Sequence, residues 1–215
     1  VELLSCDPAR IVINPHPPPD LSPLLPPLAM NGPGEASRAY AGDLLRDHAR
    51  ERGWTYLKDF AFEEAPYIVV STQDRPTKNL IAAAEAVRML NRTRQLNLKL
   101  LTTARIQYGA KWTLLPEMIR CERMESDISS LHDLPRRQHA ALYHCAALTI
   151  HPSFFEGIVG TLTFFESVSL HTPCLMARGP HVEELLEIEP SLAPWVFDPY
   201  DHDELAAMIV KALDQ

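Results

Sequence analysis

From residue 66 onward two patterns alternate along the chain. Short unbroken apolar runs alternate with longer stretches in which apolar residues return every three or four positions. Tyr67-Ile68-Val69-Val70-Ser71 is apolar and β-branched, as expected of a strand buried on both faces of a parallel sheet. Residues 78–92 carry Leu80, Ala83, Ala84, Val87 and Leu90 on one helical face. A strand at Leu98–Thr103 follows, then a helix from Leu115 to Arg123 and a weak strand at Asp127–Leu131. Pro135 suits the first turn of a helix through Tyr143, where its missing N–H costs nothing. Cys145–Ile150 reads as a strand. After Gly160 a helix begins, with Leu162, Phe165, Val168 (or Ser169) and Leu170 mostly inward. Pro173–Ala177 is a strand, His181–Ile188 a short helix and Trp195–Phe197 a last short strand. Asp201-His202-Asp203-Glu204 has the form of a capping box. Behind it Leu205, Met208, Ile209, Ala212 and Leu213 make one apolar stripe. Such alternation implies an α/β fold with a parallel sheet covered on both faces.

The first 65 residues break this rhythm. Ala9–Asn14 is a strand candidate. Prolines then crowd positions 15 to 33, and proline's fixed φ and missing N–H exclude helix and central strand. This stretch reads as a stiff extended linker or as a proline-motif docking segment, and Leu21, Leu24, Leu25 and Leu28 would pack on a domain surface. Glu35–Arg52 is a helix with Ala41, Leu44, Leu45 and His48 on one face, ended by Gly53. Two units are expected: residues 1–65, a Pro-rich linker with a helical extension, and residues 66–215, the α/β domain.

The totals narrow the function. A 46% apolar and 22% charged chain is ordinary for a globular protein. A net charge of −8 argues against general nucleic-acid binding. Cys6, Cys121, Cys145 and Cys174 form no Cys-x-x-Cys pair, so free thiols in a reducing, cytoplasmic setting are expected. No apolar run approaches a membrane span. No signal peptide is seen, and the start at Val1 without Met suggests a processed or cut end.

The candidate chemistry centres on residues 151–166. A glycine-containing loop at a strand's carboxyl end, leading into a helix, is where an open α/β sheet usually holds an anion. Lys78 opens a helix after the first strand and, with Arg75, is either a phosphate site or a pair of solvated loop cations. Glu156 is either a carboxylate for sugar hydroxyls or a loop acid stabilised by the nearby helix end. Glu166 is either a ribose ligand or a surface acid. His151, at a strand end near Glu156, is the one histidine that reads as a site candidate. The nine histidines show no metal spacing, and neither a metal nor an organic cofactor is expected.

The order of these pieces resembles the carboxyl-terminal, donor-binding domain of GT-B-fold glycosyltransferases, in particular the retaining enzymes called glycosyl transferases group 1 (family 4). Arg75-Pro76-Thr77-Lys78-Asn79-Leu80 looks like that family's loop and helix start. Leu142-Tyr143-His144-Cys145-Ala146-Ala147 through Pro152-Ser153 is similar to its segment before the donor loop. Phe155-Glu156-Gly157 and Phe165-Glu166-Ser167 match its paired glutamates. His171-Thr172-Pro173 looks like its turn, with His171 where the family has glycine. Asp198-Pro199-Tyr200-Asp201 with Glu204-Leu205-Ala206 is similar to its closing helix. The match covers about residues 66–214. Nine residues separate the two glutamates here, where the family usually has seven, and Thr72 stands where the family often has arginine.

The resemblance implies a Rossmann-like doubly wound sheet, one GT-B half, that transfers a hexose from a nucleoside diphosphate sugar with retention. Lys78 and Glu156 would be catalytic. Lys78 and Arg75 would hold the diphosphate, and Glu156 the sugar hydroxyls. Gly157 and Gly160 would allow the backbone near Thr161 and Leu162 to meet the phosphates. Glu166 would bind ribose, and the region from Leu131 would pack near the base. The acceptor, a glycan, lipid or protein, would be held by an amino-terminal domain that residues 1–65 are too short to form. Peripheral membrane association would belong to the full protein. Two other readings stand beside this one: a non-catalytic interaction module, and a nucleotide-sugar epimerase.

Overall fold

The computed structural model describes residues 17–26, 34–106, 114–157 and 159–214. Six strands form one sheet in the order β3-β2-β1-β4-β5-β6, and every neighbouring pair is parallel. The strands are β1 (Tyr67–Val70), β2 (Lys99–Thr102), β3 (Ile128–Ser130), β4 (Leu148–His151), β5 (Cys174–Ala177) and β6 (Val196–Phe197). The helices are α1 (Glu35–Glu51), α2 (Leu80–Arg94), α3 (Leu115–Glu122), α4 (Arg136–Cys145), α5 (Leu162–Ser169), α6 (Pro180–Ile188) and α7 (His202–Leu213). This is the doubly wound order in which the chain reverses its direction of travel across the sheet between β1 and β4.

Strand alternation divides the core. Ile68 and Val70 of β1 pack toward α2, α3 and α7, with Leu80, Val87, Ile119 and Leu205. Tyr67 and Val69 face the other way, onto α1 and α4, with Leu45, Leu142 and Tyr143. Phe164, Met176, Val182 and Leu185 close a third cluster between α5, α6 and β5. Burial on both faces explains why β1, β4 and β5 are buried at every position.

Several boundaries shift for local reasons. Lys78 lies in a 3-10 turn (Pro76–Lys78) ahead of α2, not on the helix. The reason is Asn79, left-handed at φ 47°, whose side-chain amide donates to the Pro199 carbonyl at 3.1 Å. Cys145 closes α4 instead of opening β4. The α7 start is half a capping box: Asp201 accepts from the Glu204 N–H, while the Glu204 side chain accepts from the Asp198 N–H.

The described residues before β1 pack onto the α/β sheet and its helices. Ala41, Leu45 and Ala49 of α1 share a core with Tyr67 and Tyr143, and Leu57, Phe60 and Phe62 join them. The proline stretch is not extended throughout. Ser22–Leu24 forms a 3-10 turn, Leu21 and Leu25 are buried, and the Leu21 N–H donates to Ser169 Oγ at 3.1 Å. Proline's φ suits a turn's first positions as well as an extended chain, and leucine burial selects the turn. The expected strand at 9–14 and Leu28 lie outside the described residues. Among the described residues no helix is long and apolar enough to cross a membrane.

Candidate functional site

The crevice at a switch point opens beyond the carboxyl ends of the strands on either side. A cleft of about 500 Å³ lies there. Arg75, Lys78, Glu156, Gly157, Leu162 and Glu166 all line it, joined by His151. Chain segments far apart in sequence therefore converge: the turn after β1, the loop after β4 and the first turns of α5.

Lys78 and Glu156 meet directly. Lys78 Nζ donates to Glu156 Oε1 at 2.6 Å. His151 Nε2 stands 3.2 Å from the same oxygen, though the angle is not that of a hydrogen bond. The His151 imidazole, the Lys78 ammonium and the Ser153 hydroxyl hold the Glu156 carboxyl down to about 2, against the burial that opposes them. Glu156 is thus an anion with a cation seated on it.

Glu166 has a different environment. It is partly buried, and burial pushes its carboxyl above the usual range, with Tyr143 and Arg136 opposing. The Tyr143 hydroxyl donates to Glu166 Oε2 at 3.3 Å. Two carboxylates in one cleft are therefore tuned in opposite directions, Glu156 by partners and Glu166 by desolvation.

The α5 amino end is capped from within. Thr161 Oγ1 accepts from the Phe164 N–H at 2.9 Å, and the Thr161 carbonyl accepts from the Phe165 N–H. Among the described residues no partner meets the first-turn N–H groups of Leu162 and Thr163. Gly160 is buried at φ 64°, and its N–H donates to the His181 carbonyl at 2.7 Å. Gly160 and Thr161 shape the loop without lining the cleft. Leu131 is 1% exposed, packed in the core beside α4, and does not line it either.

Ser71, Thr103 and His139 form a polar wall of the cleft that sequence reading did not single out. Ser71 Oγ lies 2.9 Å from His139 Nε2 and 3.2 Å from Thr103 Oγ1. Burial pushes His139 down to about 4, so its ring is neutral. His139 and Tyr143 stand at i and i+4 on α4, with rings 4.8 Å apart, a spacing that places two residues on one face. That was the available signal. Tyr143 proves to be core and site together: its ring is buried and its hydroxyl reaches Glu166. Among the described residues no group of His, Cys, Asp or Glu side chains is arranged to hold a metal ion.

No protein-family model matches this chain, and no curated protein matches it. Solved structures do. An α,α-trehalose 6-phosphate synthase from Burkholderia multivorans superposes with a TM-score of 0.58 at 16% identity, over 88% of this chain and 42% of that one. A UDP-forming synthase from Burkholderia xenovorans gives 0.56 at 15% identity, over 88% and 44%. An E. coli structure bound with UDP-2-fluoro glucose gives 0.51 at 14% identity, over 80% and 42%. The chain spans less than half the length of these proteins. At such identities the likeness shows the fold: a Rossmann-like α/β sheet matching one half of GT-B glycosyltransferases. It does not single out group 1.

Proposed function

We propose that residues 66–214 form the donor-binding half of a retaining glycosyltransferase, moving a hexose from a nucleoside diphosphate sugar. The acceptor would be held by a half outside residues 1–215. The observation that carries this reading is the convergence of Lys78, Glu156 and Glu166 on one cleft at the switch point. Lys78, Arg75 and the N–H groups of Leu162 and Thr163 would face the diphosphate and stabilise its charge as it leaves. Glu156, ionised, would accept from sugar hydroxyls, and Glu166 from the ribose diol. The structures with this fold include UDP-forming enzymes and one bound with a UDP-sugar, which favours UDP as the first nucleotide to try.

Calorimetry with UDP, GDP and ADP tests the site on the wild type, Lys78→Ala and Glu166→Ala. A charged hydrogen bond contributes about 1.5–3 kcal/mol, so each variant should lose about tenfold or more in affinity. Equal binding by all three proteins would sink the site. A second reading, a non-catalytic interaction module, draws on the apolar rim of the same loop, where Phe155, Val159 and Leu162 are exposed. It predicts that no nucleotide shifts the melting temperature.

A further inference from the structure

Glu156 is one carboxylate with two neighbours able to carry positive charge, and the two differ in mobility. Lys78 reaches Glu156 on a flexible stem from a 3-10 turn. His151 sits on the buried strand β4, with its side chain 6% exposed. Its ring packs edge-on against His181, centroids 5.8 Å apart. His181 is itself buried at the start of α6. Lys78 can therefore move, and His151 cannot move far.

A nucleoside diphosphate carries more charge than Glu156 and would draw the Lys78 ammonium to itself. A partly buried carboxylate losing its cation is costly, because its desolvation is no longer offset. We propose that His151 is the proton-gated second partner of Glu156: as a nucleoside diphosphate draws Lys78 away, His151 takes a proton from solvent and keeps Glu156 ionised and aimed at the sugar. This rests on the reading of the cleft above and adds a positioning residue and a proton linkage to it.

The groups facing His151 are Glu156 and Lys78 from the two loops and His181 from α6. His181 is pushed by burial down to about 4 and stays neutral. In the free protein burial lowers the His151 pKa, Glu156 opposes that, and Lys78 lowers it further. Removing the ammonium removes one of the two depressing causes and leaves the carboxylate, so the ring's affinity for a proton rises. Nε2, buried at 3.2 Å from Glu156 and unaligned with it, is the atom positioned to complete the bond.

The test is calorimetric titration of the wild type with UDP, GDP and ADP in buffers of different ionisation enthalpy, near the histidine range of about pH 6.5. Beyond any proton that the nucleotide's terminal phosphate gives up, binding to the wild type should take up a proton at His151. The uptake should vanish in His151→Gln. It should shrink in Lys78→Met, where the depressing effect of the ammonium on the His151 ring is already gone from the free protein. Should His151→Gln fold poorly, the assigned His151 ring in wild-type protein serves by NMR, titrating at higher pH with nucleotide than without. The same proton exchange in the wild type as in His151→Gln, or an unmoved His151 titration, overturns the proton linkage while the site stands. No binding of any nucleotide overturns the site reading, and the linkage with it.

Discussion

His171 stands in the left-handed region at φ 59°, at the turn between α5 and β5 where the resemblance has glycine. A side chain there costs about 1–2 kcal/mol in steric strain, and glycine would cost about 0.5–1 kcal/mol more in unfolded-chain entropy. The difference favours His171→Gly by about 0.5 kcal/mol, seen as a higher urea midpoint at unchanged slope. Asn79 solves a similar problem differently: its short side chain tolerates φ 47° and bonds across to Pro199. That single residue decides that Lys78 sits on a turn facing Glu156 instead of on the α2 axis. Lys78, Glu156, Gly157 and Glu166, which line the cleft, stood out in the sequence because Lys, Glu and Gly carry recognisable chemistry. Glu156 with a lysine on it did not, since the two lie 78 positions apart in the sequence.

Gly179, just ahead of α6, shows how one element positions another. It has extended backbone that any residue could adopt, yet a Cβ there would meet the Phe154 carbonyl at 2.6 Å. The glycine is needed for close approach of α6 to the loop carrying Glu156. Gly179→Ala should cost about 1–3 kcal/mol by overpacking, and it should weaken nucleotide binding because the Phe154–Glu156 loop must give way. Denaturant unfolding paired with calorimetry checks both, and a stable variant binding normally would contradict the coupling. The regular elements were legible because their hydrophobic periods differ. Their ends were less so: Pro76, Asn79 and Cys145 lie where turn geometry and tertiary contacts compete with periodicity. The Ser22–Leu24 turn had no period at all, and it exists because Leu21 and Leu25 are buried.

At the scale of the whole molecule, burial of histidine makes stability depend on pH. His139, His144 and His181 are each pushed down to about 4 by burial, from about 6.5 in an unfolded chain. Their neutral forms are favoured when folded, so their contribution is full above pH 6.5 or so and is lost as pH falls toward 4. Each can steepen the fall by at most about 1.4 kcal/mol per pH unit. Urea midpoints should drop steadily across this window, and His144→Asn should flatten the drop. α1 belongs to this same body, since Ala41 and Leu45 pack with Tyr67 and Tyr143 in one core.

The alternation of apolar runs and 3.6-period stretches was enough, by itself, to specify an α/β parallel sheet, because burial on two faces leaves few polar positions in a central strand. Residue types pointed to the loops that carry the charges. Tertiary structure alone decided strand order, which sets the switch point and so the place of the cleft. It also decided that α1 packs on α4 and that Lys78 and His151 approach one oxygen of Glu156. Those outcomes depend on contacts between segments distant in sequence, and local pattern carries no information about such distances.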